Sequence, residues 1–122
     1  MSNFVRTFGI AIVVALGLTG QAFAHAHLKS AVPAVDSTVT TAPTELDLTF
    51  TEGVNLKFTG VTVTGPDKAA VATGEATLKG GDTTLTVPIS GTLAAGAYTV
   101  AWHALSTDGH KTNGTYTFAV KP

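Results

Sequence analysis

Two short stretches of this chain carry residue types that bind metal ions. His25 follows the small-residue triplet Ala22-Phe23-Ala24, and Asp108 and His110 flank a glycine near the other end of the sequence. If the chain is cut after Ala24, the α-amine and the ring Nδ1 of His25 can close a six-membered chelate around one ion. Together with the second imidazole and the carboxylate, this predicts a site of three nitrogens and one oxygen, a donor set and square shape that suit Cu(II).

Residues 1–24 have the three parts of a secretory signal peptide, which is removed in the mature protein. A short head with one positive charge precedes an apolar run from Phe8 to Leu18, and small residues come before the cut. A membrane anchor is the alternative, but an anchor needs about 20 apolar residues. This run is shorter and ends in polar Thr19-Gly20-Gln21, so we predict cleavage and a free amine on His25.

The mature part is small and nearly neutral. Removing 24 of the 122 residues leaves 98, which is enough for one domain and too few for two. These residues contain six lysines and eight acidic residues, a net charge of −2 with histidine neutral. No basic stripe is present to displace counterions, so we expect neither nucleic acid nor an anionic membrane as a partner. The absence of cysteine excludes disulfides and a thioether lipid anchor.

Apolar and polar residues alternate with a period of two along much of the chain, which predicts strands with one buried face. The alternation is clearest in Leu46-Asp47-Leu48-Thr49-Phe50 and recurs in residues 58–64, 84–87, 98–102 and 116–120. Turn signals rich in glycine separate these segments. About seven short strands without an amphipathic helix predict an all-β fold, an Ig-like antiparallel β-sandwich with Greek-key connections.

The segment around Trp102 predicts which aromatic residues lie in the core. Residues 93–98 resemble a tyrosine corner, in which the Tyr98 hydroxyl bonds an upstream backbone group. Trp102 is in phase with Tyr98, so we expect a core residue and not a platform for stacking a cofactor. His103 is out of phase with Trp102, so we expect a surface imidazole there.

Asp108 and His110 can aim their side chains at one point, because residues i and i+2 of a strand or of its end face the same way. Gly109 between them lets the backbone bend toward that point. Taken alone, Asp-Gly-His is weak evidence, since Asp-Gly is among the commonest hairpin turn pairs. It is the pairing with His25 that favours a metal site over a plain turn.

The mature part resembles the CopC family of periplasmic copper-binding proteins over essentially its whole length. The resemblance is carried by His25-Ala26-His27-Leu28, by residues 48–54, by residues 96–110, which end in Ser106-Thr107-Asp108-Gly109-His110, and by residues 114–118. It implies that residues 25–122 are a copper-binding domain, a sandwich of seven to eight strands. In this domain the amine and Nδ1 of His25, the imidazole of His110 and the carboxylate of Asp108 would hold Cu(II) as a histidine brace. It further implies a periplasmic location and a CopD-type inner-membrane protein as partner.

The chain departs from some members of that family in its soft ligands. They carry a methionine-rich segment for Cu(I), whereas the only methionine here is Met1, which is lost with the leader. Because thioether and thiolate ligands select Cu(I), we expect a Cu(II) site and no dedicated Cu(I) site.

His27 and Glu52 leave alternatives open. As the third mature residue, His27 completes the amine-X-X-His pattern, which binds Cu(II) through the amine, two ionised backbone amides and the ring. That mode conflicts with Leu28 and its neighbours entering a strand, so it ranks second to the brace. If His27 does not bind the ion, it is a solvated residue or a hydrogen-bonding neighbour of the site. Glu52 follows a predicted strand and is either an outer group of the site or an ordinary exposed carboxylate.

Three classes of function fit these residues. The first, which we expect, is a monomeric Cu(II) carrier or buffer without enzymatic activity. The second is a copper monooxygenase of the histidine-brace type, but Asp108 would occupy the equatorial position that oxygen needs. The third is a structural Ig-like module in which the terminal histidine is accidental, and it does not explain why three ligands should converge.

Overall fold

The computed structural model describes residues 25–122, which fold into two β-sheets. The prediction that residues 1–24 are a leader lies outside the described residues. Within the described range the strands are β1 (Leu28–Val32), β2 (Ser37–Val39), β3 (Glu45–Phe50), β4 (Gly60–Thr64), β5 (Ala70–Val71), β6 (Thr77–Lys79), β7 (Thr84–Pro88), β8 (Gly96–Leu105) and β9 (Lys111–Val120). One sheet has the order β1-β3-β7-β6, and the other has the order β2-β9-β8-β4-β5.

The predicted all-β sandwich is confirmed, with two differences in detail. Residues 25–122 form nine strands instead of seven to eight, because three short strands of two or three residues carry too few positions for a visible period. One of them, β2, pairs with β9 in parallel, whereas the other strand pairs are antiparallel. The long β8–β9 pair forms the centre of the second sheet.

One predicted strand begins later than expected. The alternation predicted a strand over residues 58–64, but Leu56–Phe58 form a 3₁₀ helix and β4 starts at Gly60. Asn55 caps this helix, since its Oδ1 accepts a hydrogen bond from the Lys57 N–H at 3.0 Å. A second 3₁₀ helix covers Pro66–Lys68, and no helix in the described part of the chain is both long enough and apolar enough to cross a membrane.

Burial alternates along β8 as its sequence predicts. Tyr98, Val100 and Trp102 are at most 8% exposed, whereas His103 is exposed. Phe50 of β3 packs its ring against Trp102 in an edge-on contact, with 5.4 Å between centroids, and so joins the two sheets. Burying an aromatic side chain of this size stabilises the fold by about 1.5–3 kcal/mol.

The tyrosine corner is confirmed as well. The Tyr98 hydroxyl donates a hydrogen bond to the Ala94 carbonyl at 2.6 Å, four residues upstream. This bond ties the connection before β8 to the core, and it satisfies a hydroxyl that would otherwise be buried without a partner.

Gly114 of β9 lies directly opposite Trp102 of β8. A Cβ atom at this position would come within 2.7 Å of the Trp102 ring, closer than packed atoms approach. The indole therefore lies across the backbone of the neighbouring strand, and only glycine leaves room for it.

Candidate metal centre

The N-terminal segment of the described chain, residues 25–27, is held between the end of β3 and the start of β9. The His27 N–H donates to Thr51 Oγ1 at 2.9 Å, and the Thr51 N–H donates to the His27 carbonyl at 2.8 Å. From the other side, Thr112 Oγ1 donates to the Ala26 carbonyl at 2.6 Å. Ala26 is fully buried, while His25 and His27 on either side of it are exposed.

The loop between β8 and β9 carries Asp108 and His110. It closes through the Gly109 N–H, which donates to the Ser106 carbonyl at 2.9 Å, and through the Ser106 N–H, which donates to the His110 carbonyl at 2.9 Å. Gly109 has a φ of +97°, a conformation that glycine adopts without strain. The Thr107 N–H donates to the Gly53 carbonyl at 3.0 Å, so the loop is attached to the segment that follows β3.

Asp108 and His110 contact each other within this loop. Asp108 Oδ1 accepts a hydrogen bond from Ser106 Oγ and lies 3.2 Å from His110 Nδ1. The Ser106 hydroxyl foremost, and then His110, hold the pKa of Asp108 below its ordinary value of 3.8. Since an ionised carboxylate only accepts hydrogen bonds, Nδ1 carries the hydrogen and Nε2 of His110 remains available as a donor to a metal.

Three imidazole rings lie side by side at this end of the molecule. The ring centroids of His25 and His110 are 4.8 Å apart, and those of His25 and His27 are 6.1 Å apart. Two imidazoles bound to one ion through nitrogens about 2.0 Å from it place their centroids roughly 4 to 6 Å apart. The structure therefore brings His25 and His110 to a separation at which one ion can bind both.

No group of three or more His, Cys, Asp or Glu side chains within residues 25–122 is already arranged to hold a metal ion. Two of the predicted donor atoms are also engaged otherwise in the full-length chain. Asp108 Oδ1 is engaged by Ser106 and His110, and the main-chain nitrogen of His25 is part of a peptide bond. The ligand set of His25, Asp108 and His110 therefore stays a prediction.

The amine-X-X-His alternative requires ionised main-chain nitrogens at residues 26 and 27. In the folded chain the His27 N–H is already bonded to Thr51 Oγ1, and Ala26 is fully buried. Binding through these amides would break that bond and draw Ala26 out of the core. The structure thus favours side-chain binding over wrapping of the N-terminal backbone.

Two other residues considered from the sequence have clear positions. His103 lies on the exposed face of β8, where its ring packs over Gly60 of β4. Glu52 is half-buried, and its Oε2 is buried without a hydrogen-bond partner among residues 25–122, so it is not an ordinary exposed carboxylate.

Sequence reasoning missed the residues that position the candidate ligands, namely Thr51, Thr112 and Ser106. Only Ser106 leaves a local signal, because a serine two residues before an aspartate can bond its side chain. Thr51 and Thr112 act across 24 and 86 positions, and threonine is too common in this chain for either to stand out.

Fold and geometry together define a β-sandwich with an imidazole cluster between its N-terminal segment and its β8–β9 loop. The CopC domain family matches residues 28–121, and the chain belongs to this family. Protein YobA of Escherichia coli K12 is 43% identical over 115 residues, covering 93% of each chain. Copper resistance protein C of Escherichia coli is 37% identical over 118 residues, covering 87% of this chain and 89% of that relative.

The solved structures agree on the fold. The crystal structure of PcoC, described as a methionine-rich copper resistance protein from Escherichia coli, matches with a TM-score of 0.72 and 36% identity over 80% of this chain and all of PcoC. The present chain differs in having a single methionine, Met1, which precedes the matched region.

Proposed function

We propose that this chain is a periplasmic Cu(II)-binding protein that carries or buffers copper for homeostasis or resistance. The observation that supports this most strongly is the approach of the His25 and His110 rings to 4.8 Å from opposite ends of the domain. Membership of a family whose relatives are named copper resistance proteins supports copper as the cargo. The site binds copper for transfer or storage, and no reaction is assigned to it.

In the proposed site, the amine and Nδ1 of His25, Nε2 of His110 and the carboxylate of Asp108 bind the ion. Three nitrogens and one oxygen are the donors that Cu(II) prefers, in a roughly square arrangement. The hydrogen bond between Asp108 and His110 in the metal-free chain is replaced by the bond from Asp108 to copper. Residues 25–122 offer neither cysteine nor methionine, so the preference for Cu(II) over Cu(I) follows from the available ligands.

The proposal includes export and removal of residues 1–24, which creates the amine. The mature protein acts as a monomer and exchanges copper with a CopD-type inner-membrane protein, a partner proposed from membership of the CopC family. Cross-linking of the copper-loaded protein in membranes that contain or lack a CopD-type protein tests this exchange. Oxygen uptake in the presence of a reductant tests the alternative of a monooxygenase, and we expect the copper-loaded protein to show none.

The decisive experiment compares two forms of the mature protein, one that begins at His25 and one with a single extra methionine before it. The extra residue converts the amine into a peptide nitrogen and abolishes the chelate ring, so its affinity for Cu(II) falls sharply in a competition titration. A methionine added after Pro122 is the matched control and leaves the affinity unchanged.

Electron paramagnetic resonance of the mature protein with one equivalent of Cu(II) counts the nitrogen ligands. We expect three nitrogen couplings, with one lost in His110→Ala. Equal affinity of the two N-terminal forms, or a spectrum unchanged in His110→Ala, contradicts the proposed site.

A further inference from the structure

We propose that His27 is the residue through which Cu(II) enters and leaves the site, binding the ion in passing as a transient ligand. This inference rests on the proposed function, because it assigns a route to the copper that His25, Asp108 and His110 hold. It is based on the position of the His27 ring, an exposed third imidazole that stacks beside the ring of His25, the central ring of the cluster.

The position of His27 is set by its backbone and not by its side chain. Its N–H and its carbonyl both bond to Thr51, at 2.9 and 2.8 Å, and the preceding residue, Ala26, is fully buried. Ala26 is buried and both of its neighbours are exposed, so His25 and His27 project outward from the segment that Ala26 anchors. The His27 ring is thus held near the site. Within residues 25–122 its ring nitrogens make no hydrogen bond that would compete with a metal ion.

His25 lies between the other two rings, at 4.8 Å from His110 and 6.1 Å from His27. The first separation is typical of two imidazoles that share an ion, and the second is near the upper limit of roughly 6 Å. His25 can therefore remain a ligand while its partner changes from His110 to His27. The proposal assigns the closer pair to the resting site and the wider pair to the state that is occupied in passing.

The transfer is a ligand exchange in which copper stays divalent. A bond from copper to a His27 ring nitrogen forms as the bond from copper to His110 Nε2 breaks. An acceptor then displaces His27, which is the most weakly held nitrogen. A ligand that already lies beside the site lowers the barrier to ligand exchange, because it does not have to be brought from solution.

Loss of the His27 ring should consequently slow both capture and release while leaving the equilibrium affinity nearly unchanged. We expect His27→Ala to slow both rates by about tenfold, which corresponds to about 1.4 kcal/mol of barrier. The dissociation constant should change by less than about threefold, because it is the ratio of two rates that fall together.

The experiment mixes copper-loaded mature protein with excess EDTA in a stopped-flow instrument and follows the Cu(II) absorbance. Three variants are compared with the wild-type protein: His27→Ala, His27→Asn, which keeps a polar side chain without a metal-binding ring, and His103→Ala. The last is a matched control, since His103 is also an exposed histidine but lies over Gly60 on β8. Capture is measured by mixing metal-free protein with the Cu(II)–glycine complex.

Slower exchange in both His27 variants, with an unchanged affinity and a normal rate in His103→Ala, supports the inference. Equal exchange rates in wild type and His27→Ala, with tight binding in both, would overturn the role of His27 and leave the proposed function intact. A large loss of affinity in His27→Ala would make His27 a permanent ligand, which also overturns a transient role. A wild-type mature protein without tight Cu(II) binding would overturn the proposed function and the inference together.

Discussion

At Asp108, two hydrogen bonds converge on one carboxylate oxygen. Ser106 is 2% exposed and its hydroxyl oxygen also accepts a hydrogen bond from the His110 N–H at 3.1 Å, whereas Asp108 itself lies on the surface. These bonds favour the ionised carboxylate and lower its pKa. Because the pKa of Asp108 is lower in the folded state, these contacts stabilise the fold at pH values above its ordinary pKa of 3.8. The stabilisation is lost as the pH falls through the lower pKa of the folded state.

Ser106→Ala should raise the pKa of Asp108 toward its ordinary value, because the hydroxyl is the largest cause of the lowering. Affinity for Cu(II) should also fall, since Ser106 shapes the loop that carries Asp108 and His110. A carboxyl-detected NMR titration of the metal-free protein measures the pKa. The matched control is Thr107→Ala at the exposed neighbouring position, which should move neither quantity. An unchanged Asp108 pKa in Ser106→Ala would show that the hydroxyl does not bond the carboxylate.

The residues proposed as ligands could be found from the sequence, but their supports could not. His25 stands out because of the preceding Ala22-Phe23-Ala24, and Asp108 and His110 because of their spacing. Thr51 and Thr112 contact the N-terminal segment from distant parts of the chain, and a hydroxyl that bonds a remote backbone group leaves no local pattern. The proximity of the His27 and His25 rings likewise follows from the anchored backbone between them.

At the scale of elements, the stability of the β8–β9 pair depends on the packing of the Trp102 indole over Gly114. Gly114→Ala should destabilise the fold by about 1–3 kcal/mol, because the added methyl group forces Trp102 out of its position. Urea denaturation monitored by tryptophan fluorescence measures this loss. Asn113→Ala, on the exposed face of the same strand, is the control and should stay within about 0.5 kcal/mol of wild type. A Gly114→Ala protein as stable as wild type would mean that the ring can shift without cost.

Strand prediction succeeded where a strand is long enough to show its period and failed where it is short. The alternation in β3 and β8 specifies which side chains are buried, because one face of each strand packs in the core. β2 has three residues and depends on β9 for its pairing, so its parallel direction is a tertiary property. Phe58 continues an apparent strand pattern, but the cap by Asn55 favours a helical turn instead.

At the scale of the whole molecule, the metal-free domain should fold without copper. Its core joins both sheets through Phe50 and Trp102 and does not involve the candidate ligands. Cu(II) that binds only the folded state should add RT ln(1 + [L]/Kd), about 2.7 kcal/mol when free copper is 100 times Kd. A circular dichroism melt near neutral pH should show a cooperative metal-free transition that moves to higher temperature with Cu(II). A metal-free protein without a transition contradicts this expectation.

The rise in melting temperature that Cu(II) causes should be smaller at acidic pH. Protons compete with copper for amine and imidazole nitrogens, which in general become protonated as pH falls from about 8 toward 5. Repeating the melts at pH 7 and pH 5 with the same free copper therefore gives a much smaller shift at the lower pH. A shift of equal size at both values would exclude amine and imidazole nitrogens as the ligands.

The hydrogen bond from Thr112 Oγ1 to the Ala26 carbonyl closes a loop between residues 86 positions apart. Contacts of such high sequence separation are entropically costly to form early, so the N-terminal segment should dock only after the transition state for folding. Copper that bridges this segment to the β8–β9 loop would then stabilise the native state without stabilising the transition state. The whole gain should appear as slower unfolding, with an unchanged folding rate, in stopped-flow chevron plots recorded with and without Cu(II). Copper would thus extend the lifetime of the folded protein without helping it to fold.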